Sequence, residues 1–164
     1  MKIAVIGSGS WGSAITSLLS TKGFEVFLWS WQKEETDRLK KDRENKEFLP
    51  GIKLDGDITF SNDMGVCVKD AALIVLSTPS HAVRNIAKEL AKHIAPGQIV
   101  LNIAKGLETS TLKRLSEVIK DEIPNVRLGV MVRMFRVSGF RCIADRSSGK
   151  APCCCRIQQS SGDL

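Results

Sequence analysis

Three glycines, Gly7, Gly9 and Gly12, stand in the pattern G-x-G-x-x-G within the stretch "GSGSWG". That spacing suits one task above others, holding a diphosphate on backbone N–H groups. Gly7 permits a tight turn, Gly9 lets the backbone approach a pyrophosphate, and Gly12 lets the next helix pack close to the strand. The helix N-terminus adds unpaired N–H groups and a positive dipole end. Alone the pattern is weak. It gains weight because it follows an apolar strand at once, opens a helix, and precedes a second strand at residue 25. The competing reading is a tight strand–helix turn and nothing more.

The usual companion of such a loop is an acid about 20 residues on, at the end of the second strand, which takes the ribose hydroxyls of NAD. Trp29, Ser30, Trp31 and Gln32 stand there instead. No carboxylate is in place, and no Arg marks a 2′-phosphate. Lys33, Glu34 and Glu35 are near, in a register the sequence leaves open. The cofactor is thus NAD or NADP without a choice between them. Trp29 and Trp31 would point opposite ways along a strand; one is expected in the core, the other beside the adenine or under a loop.

These residues need a scaffold, and the chain alternates two periods that supply one. "KIAVI" (2–6), "EVFLWS" (25–30), "DITFS" (57–61), "ALIVLS" (72–77), "QIVLNIA" (98–104) and "VRLGVM" (126–131) read as strands. The near-continuous apolar runs among them suit a sheet covered on both faces. Helices are predicted over 10–22, with Ala14, Ile15, Leu18 and Leu19 as the packed face, over 33–47, and near 63–69. The strongest stripe is Val83, Ile86, Ala87, Leu90, Ala91 and Ile94, stopped by Pro96-Gly97. Leu112, Leu115, Ile119 and Ile123 mark another helix, ended by Pro124. "EFLPGIKL" is a loop. The alternation predicts an α/β fold of Rossmann type, doubly wound, with a mostly parallel sheet and helices on both faces.

Composition narrows the function classes. The net charge of +6 suggests a polyanionic partner until it is located. Residues 1–131 carry 18 Lys and Arg against 16 Asp and Glu, net +2, and residues 132–164 carry 6 against 2, net +4. With no basic stripe interleaved with aromatics, nucleic-acid binding is not expected. No apolar run reaches the roughly 18 residues that span a bilayer, and "MKIAVIG" is too soon interrupted for a secretory signal. A cytoplasmic location is the expectation. Of five cysteines, Cys67 stands alone among residues 1–131 and reads as a small packed residue. The other four fall after Met131. No spacing of Cys and His suits zinc, so no metal is expected, and neither is a disulfide framework.

"GSGSWG", "FLPGIKL", "LSTPSHAVR" and "LNIAKGLE", in that order and spacing, resemble the N-terminal half of bacterial-type NAD(P)-dependent glycerol-3-phosphate dehydrogenase over residues 1–131. Phe48 stands where that family more often has Tyr. The resemblance implies that Ser10 and Trp11 contact the cofactor beside Gly7, Gly9 and Gly12. It implies that Pro79 and its neighbours line the cofactor cleft, and that Lys105 lies near both nicotinamide and substrate. Gly7, Ser77 and Lys105 all fall at carboxyl ends of strands, where open α/β sheets bind ligands. A lysine there can offer a point charge to a phosphate or polarise a reacting oxygen; a surface loop lysine is the plainer alternative. His81 opens a helix and is a weaker site candidate. The implied reaction is reversible hydride transfer between the nicotinamide and the central carbon of glycerol 3-phosphate or dihydroxyacetone phosphate. A homodimer is the assembly the resemblance suggests for full-length members.

After Met131 neither period is sustained. Residues 132–164 read as an irregular tail in place of the family's helical substrate domain, which holds its general base. Shifted by one base, the TGY codons of Cys153 to Cys155 become GYN, Ala or Val, and that segment can spell "AVVASSKAAE", like the family's continuation. A frameshifted product is the resulting expectation, with a Cys-rich soft-metal tail as its competitor. The chain is expected to hold no catalytic residue and to lack turnover. A non-catalytic dinucleotide-binding module and an inert fragment are the alternatives.

Overall fold

The computed structural model describes residues 1–131. The expectations for residues 132–164 lie outside them. Six strands form one sheet: β1 (Lys2–Ile6), β2 (Glu25–Trp29), β3 (Ile58–Ser61), β4 (Leu73–Leu76), β5 (Ile99–Asn102) and β6 (Arg127–Val130). Their order is β3-β2-β1-β4-β5-β6, every pairing parallel. The chain winds outward through β2 and β3, then crosses to β4 on the other side of β1. That reversal opens a crevice off the carboxyl ends of β1 and β4, where ligands of such sheets bind.

Five helices fill the crossovers: α1 (Ser10–Thr21), α2 (Lys33–Asp42), α3 (Met64–Val68), α4 (Val83–Ala91) and α5 (Leu115–Glu122), with a 3₁₀ turn at Ser80–Ala82. The sheet interior is buried on both faces. Ile3, Ala4, Val5 and Ile6 of β1, and Ile74, Val75 and Leu76 of β4, are each at most 2% exposed. Val83, Ala87 and Leu90 of α4 and Leu115, Val118 and Ile119 of α5 complete one core cluster, which also holds Cys67. The doubly wound parallel sheet is the fold expected.

Three helical expectations need correction. The buried face of α1 is Gly12, Ser13, Thr16 and Ser20, not Ala14, Ile15, Leu18 and Leu19, and Leu18 is 43% exposed. Small residues win because Gly12 lies against the Gly7 carbonyl, which leaves no room for large side chains. Helix α2 stops at Asp42 rather than 47, because Arg43 takes a left-handed conformation (φ 50°) and its guanidinium reaches back to the carbonyls of Gly56 and Ile58. Leu112 precedes α5 instead of starting it. It sits at φ 55°, exposed, in a turn closed by its N–H on Glu108 O.

Candidate functional site

The register sets the loops level with one another. Ile6 pairs with Trp29 and Leu76, and Leu76 with Asn102. Gly7, Ser77 and Ile103 therefore leave the sheet side by side, with Ser77 N–H on Ile6 O at 2.9 Å and Ile103 N–H on Leu76 O at 3.0 Å. Asn102 shapes the exit of β5. Its side chain accepts from Ala104 N–H (3.2 Å) and donates to Ala104 O (3.3 Å), a local turn that presents Lys105.

Each glycine of the loop is there for a different physical reason. Gly7 has φ 111°, and a Cβ on it would lie 2.7 Å from Ser77 O. A Cβ on Gly12 would lie 1.8 Å from Gly7 O. Gly9 has no such constraint from the protein. It caps α1 with φ −62° and ψ −176°, ordinary extended backbone, and a Cβ there would meet nothing within 4 Å among the described residues. The space over Gly9 is open while the protein around the other two is closed.

The other site candidates gather at the same edge. Ser10 starts α1 and is exposed, as is Trp11. Lys105 Nζ lies 5.4 Å from the Trp11 ring centroid, within cation–π range, so the loop after β5 meets the glycine loop. Pro79 caps the 3₁₀ turn after β4, and the Cβ of Ser80 lies 3.6 Å from where one would stand on Gly106. His81 is exposed in that turn. Ser77 Oγ and Thr78 Oγ1, at the end of β4 beside Gly7, are buried hydroxyls with no partner among the described residues. Trp29 is the core member of its pair, its indole N–H on Asn62 O, and Trp31 is 73% exposed.

Positions 29–32 hold no carboxylate, and the register the sequence left open for Glu34 and Glu35 brings Glu35 to the end of β2. The chain reverses after Ser30, and the first turn of α2 carries Glu35 back over the strand end. There the carboxylate, only 9% exposed, accepts from Ser8 Oγ (2.8 Å) and from Ser30 Oγ. Asn45, buried after α2, donates to Ser8 O (2.6 Å) and Ser13 Oγ (2.8 Å) and accepts from Phe48 N–H. No local pattern marks Asn45. Glu35 carried one signal, an acid in the first turn of a helix that follows the second strand.

A charged cluster anchors the loop that bears Lys105. Arg84 of α4 grips Glu108 by two parallel bonds of 2.7 and 2.8 Å and also meets Glu122 and Asp121 of α5. The Arg84 guanidinium, with the Thr111 hydroxyl, holds the Glu108 carboxyl down to about 2. At α5, the Arg114 side chain and backbone N–H do the same to Glu117, also to about 2. Both carboxyls titrate below their ordinary value near 4.5. Their stabilisation is therefore present above that value and lost as pH falls towards 2. The melting temperature should drop between pH 5 and pH 2.5, and Glu108→Gln should flatten that drop. Scanning calorimetry across the range checks it; parallel slopes in the two proteins would refute the clamp.

Among the described residues no helix is long and apolar enough to cross a membrane, and no cluster of His, Cys, Asp and Glu could hold a metal.

Known proteins of similar sequence agree in one direction. The family model described as NAD-dependent glycerol-3-phosphate dehydrogenase N-terminus matches residues 2–133. The glycerol-3-phosphate dehydrogenase [NAD(P)+] of Moorella thermoacetica is 49% identical over 120 residues, which are 73% of this chain and 36% of that protein. The one from Teredinibacter turnerae is 35% identical over 131 residues, 80% of this chain and 38% of that protein. Among solved structures, glycerol-3-phosphate dehydrogenase from Coxiella burnetii superposes with a TM-score of 0.74 at 26% identity, covering 79% of this chain and 39% of that one. The chain spans well under half the length of these relatives.

Proposed function

Because this chain belongs to the NAD-dependent glycerol-3-phosphate dehydrogenase family and carries its N-terminal, NAD(P)-binding domain, we propose that Gly7, Gly9 and Gly12 seat the diphosphate of NAD or NADP. One observation carries the assignment to these residues: Gly9 has ordinary dihedrals and open space over its α-carbon. Nothing among the described residues requires glycine there, so the requirement is an external group that must reach the backbone. The N-terminal amides of α1, a helix of 12 residues, offer donors to that group. Ser10 and Trp11 flank it. Pro79 and the unpartnered hydroxyls of Ser77 and Thr78 line the crevice beside it.

When bound, the nicotinamide supplies the hydride chemistry. The proposed reaction of the family is interconversion of glycerol 3-phosphate and dihydroxyacetone phosphate. Lys105 is exposed at the crevice and, among the described residues, meets only the Trp11 ring, so its ammonium can turn to the phosphate or the reacting oxygen of that substrate. A homodimer of full-length chains and a cytoplasmic location join this proposal on family likeness and composition.

Titration of the whole chain with NADH and NADPH, followed by tryptophan emission and calorimetry, tests the assignment. Saturable uptake of at least one is expected, with much of the quenching from Trp11. Absence of uptake of both by folded protein would overturn it. In the presence of NADH, Lys105→Met should weaken dihydroxyacetone phosphate by about tenfold, the size of one charged hydrogen bond.

A further inference from the structure

We propose that Glu35 and Asn45 are positioning residues that set the glycine loop in its diphosphate-ready shape, acting through Ser8. This rests on the nucleotide-binding reading above. Ser8 is the residue between Gly7 and Gly9, and it is gripped at both ends. Its hydroxyl donates to Glu35 Oε1, and Glu35 Oε2 is in turn held by Ser30 Oγ at the end of β2. Its carbonyl accepts from Asn45 Nδ2 (2.6 Å) and from Ser13 Oγ (3.0 Å).

The consequence for Gly9 follows from peptide geometry. A trans peptide is planar, and its C=O and N–H point in opposite directions. With Ser8 O drawn inward by Asn45 and Ser13, the N–H of Gly9 must face away from them, on the open side of the loop. Asn45 is fully used in this role: both amide hydrogens go to Ser8 O and Ser13 Oγ, and its oxygen takes Phe48 N–H. Among the described residues Glu35 is buried with no cation beside it and is held by two hydroxyls. A buried carboxylate so placed costs stability unless its hydrogen bonds are kept, so the loop is locked to the end of β2 and the start of α2.

The test uses the full chain with Glu35→Ala, Glu35→Gln, Ser30→Ala, Asn45→Ala and Asn45→Asp, and Leu90→Ala as control. Leu90 lies in the α4 core, so its truncation lowers the melting temperature without touching the loop. Three quantities are read: melting temperature, NADH dissociation constant of the folded protein, and amide chemical shifts of Gly7 to Gly12 in the free protein. Glu35→Ala and Asn45→Ala should weaken NADH about tenfold, as loss of a supporting hydrogen bond does elsewhere. Glu35→Gln and Ser30→Ala should lose less, since each leaves an oxygen at position 35 to accept from Ser8 Oγ. Asn45→Asp turns a donor into an acceptor facing Ser8 O and should cost more than Asn45→Ala. The glycine-loop amides should shift in each variant in proportion. Leu90→Ala should leave both affinity and those shifts unchanged.

Unchanged affinity and shifts in the Glu35 and Asn45 variants, beside a wild type that binds, would overturn the positioning role and leave the nucleotide reading standing. A wild type that binds no nucleotide would sink that reading, and the free-protein shifts would still judge the loop. Tighter NADH binding by Glu35→Gln would show Glu35 to act as a repelling charge and would also overturn the proposal. Should the alanine variants fail to fold, Asn45→Asp carries the comparison, and unchanged affinity and shifts in it would overturn the positioning role.

Discussion

Replacing Gly9 with asparagine is expected to abolish measurable NADH binding while the protein melts at the same temperature or slightly higher. Position 9 is the N-cap of α1, and its dihedrals of −62° and −176° suit any residue. Asparagine is among the best N-caps, and its side chain accepts from the N–H groups of the first turn. No side chain among the described residues performs that service in the wild type. The helix thus gains a cap, worth a few tenths of a kcal/mol over glycine. The same gain destroys the proposed site twice over. The new side chain fills the open space over the α-carbon, and its oxygen takes the amides the diphosphate would use. A loss on the order of a hundredfold or more in affinity is expected, since two hydrogen bonds to a charged group at about 1.5 kcal/mol each are forfeited. Calorimetric titration with NADH beside a thermal melt checks both halves. A Gly9→Asn variant that binds as the wild type does would show the open space to have no bearing on the ligand.

That split between stability and binding was only half visible in the sequence. The glycine pattern, its strand and its helix were legible because "KIAVI" is a continuous apolar run and the pattern follows it at once. Strand β4 was legible for the same reason, burial on both faces, whereas the edge strand β6, with no buried residue, showed only its apolar residues after Pro124. The pattern already divides the roles, Gly7 to the turn, Gly12 to close packing and Gly9 to a ligand; what it lacks is the measure, 2.7 Å to Ser77 O and 1.8 Å to Gly7 O, with nothing near Gly9 among the described residues. That difference is a matter of distances to Ser77 and Gly7, which no spacing states.

The misread helix faces share a cause. Amphipathic periodicity finds the face that is apolar, but α1 is packed by the face that is small. Helix and loop approach so closely at Gly12 that Ser13, Thr16 and Ser20 are buried in preference to Ile15 and Leu18. Leu112 fitted the helical stripe by position, yet the chain turns at Glu108 because Arg84 holds that carboxylate. Glu35 and Asn45 reach Ser8 across 27 and 37 residues of sequence. Side-chain bonds of that span leave no periodic trace, so the polar network behind the loop could be seen only in three dimensions.

Gly12→Ala should produce the largest loss of stability among single methyl additions to this domain. A Cβ at position 12 would stand 1.8 Å from Gly7 O and 2.9 Å from Gly7 C, both backbone atoms with no rotamer to escape through. Gly7 cannot yield. Its N–H is tied to Trp29 O at 3.0 Å, it holds φ 111°, and Ser77 O presses on its other side. The relief must come from α1 backing off the sheet, which opens gaps around Ser13 and Thr16 and breaks the bond of Asn45 to Ser13. Overpacking a core costs about 1–3 kcal/mol where side chains can adjust, so about 3 kcal/mol or more is expected where only backbone can move. Against a domain stability of about 5–15 kcal/mol, that is a fall of roughly 10 °C in melting temperature. Gly65→Ala in α3 is the matched control, because its Cβ would meet the His93 ring at 3.1 Å and Asp63 Oδ1 at 3.3 Å, groups that can swing aside. It should melt within a few degrees of wild type. Thermal unfolding by circular dichroism separates the two, and equal melting temperatures for Gly12→Ala and Gly65→Ala would refute the close approach of α1 to the glycine loop.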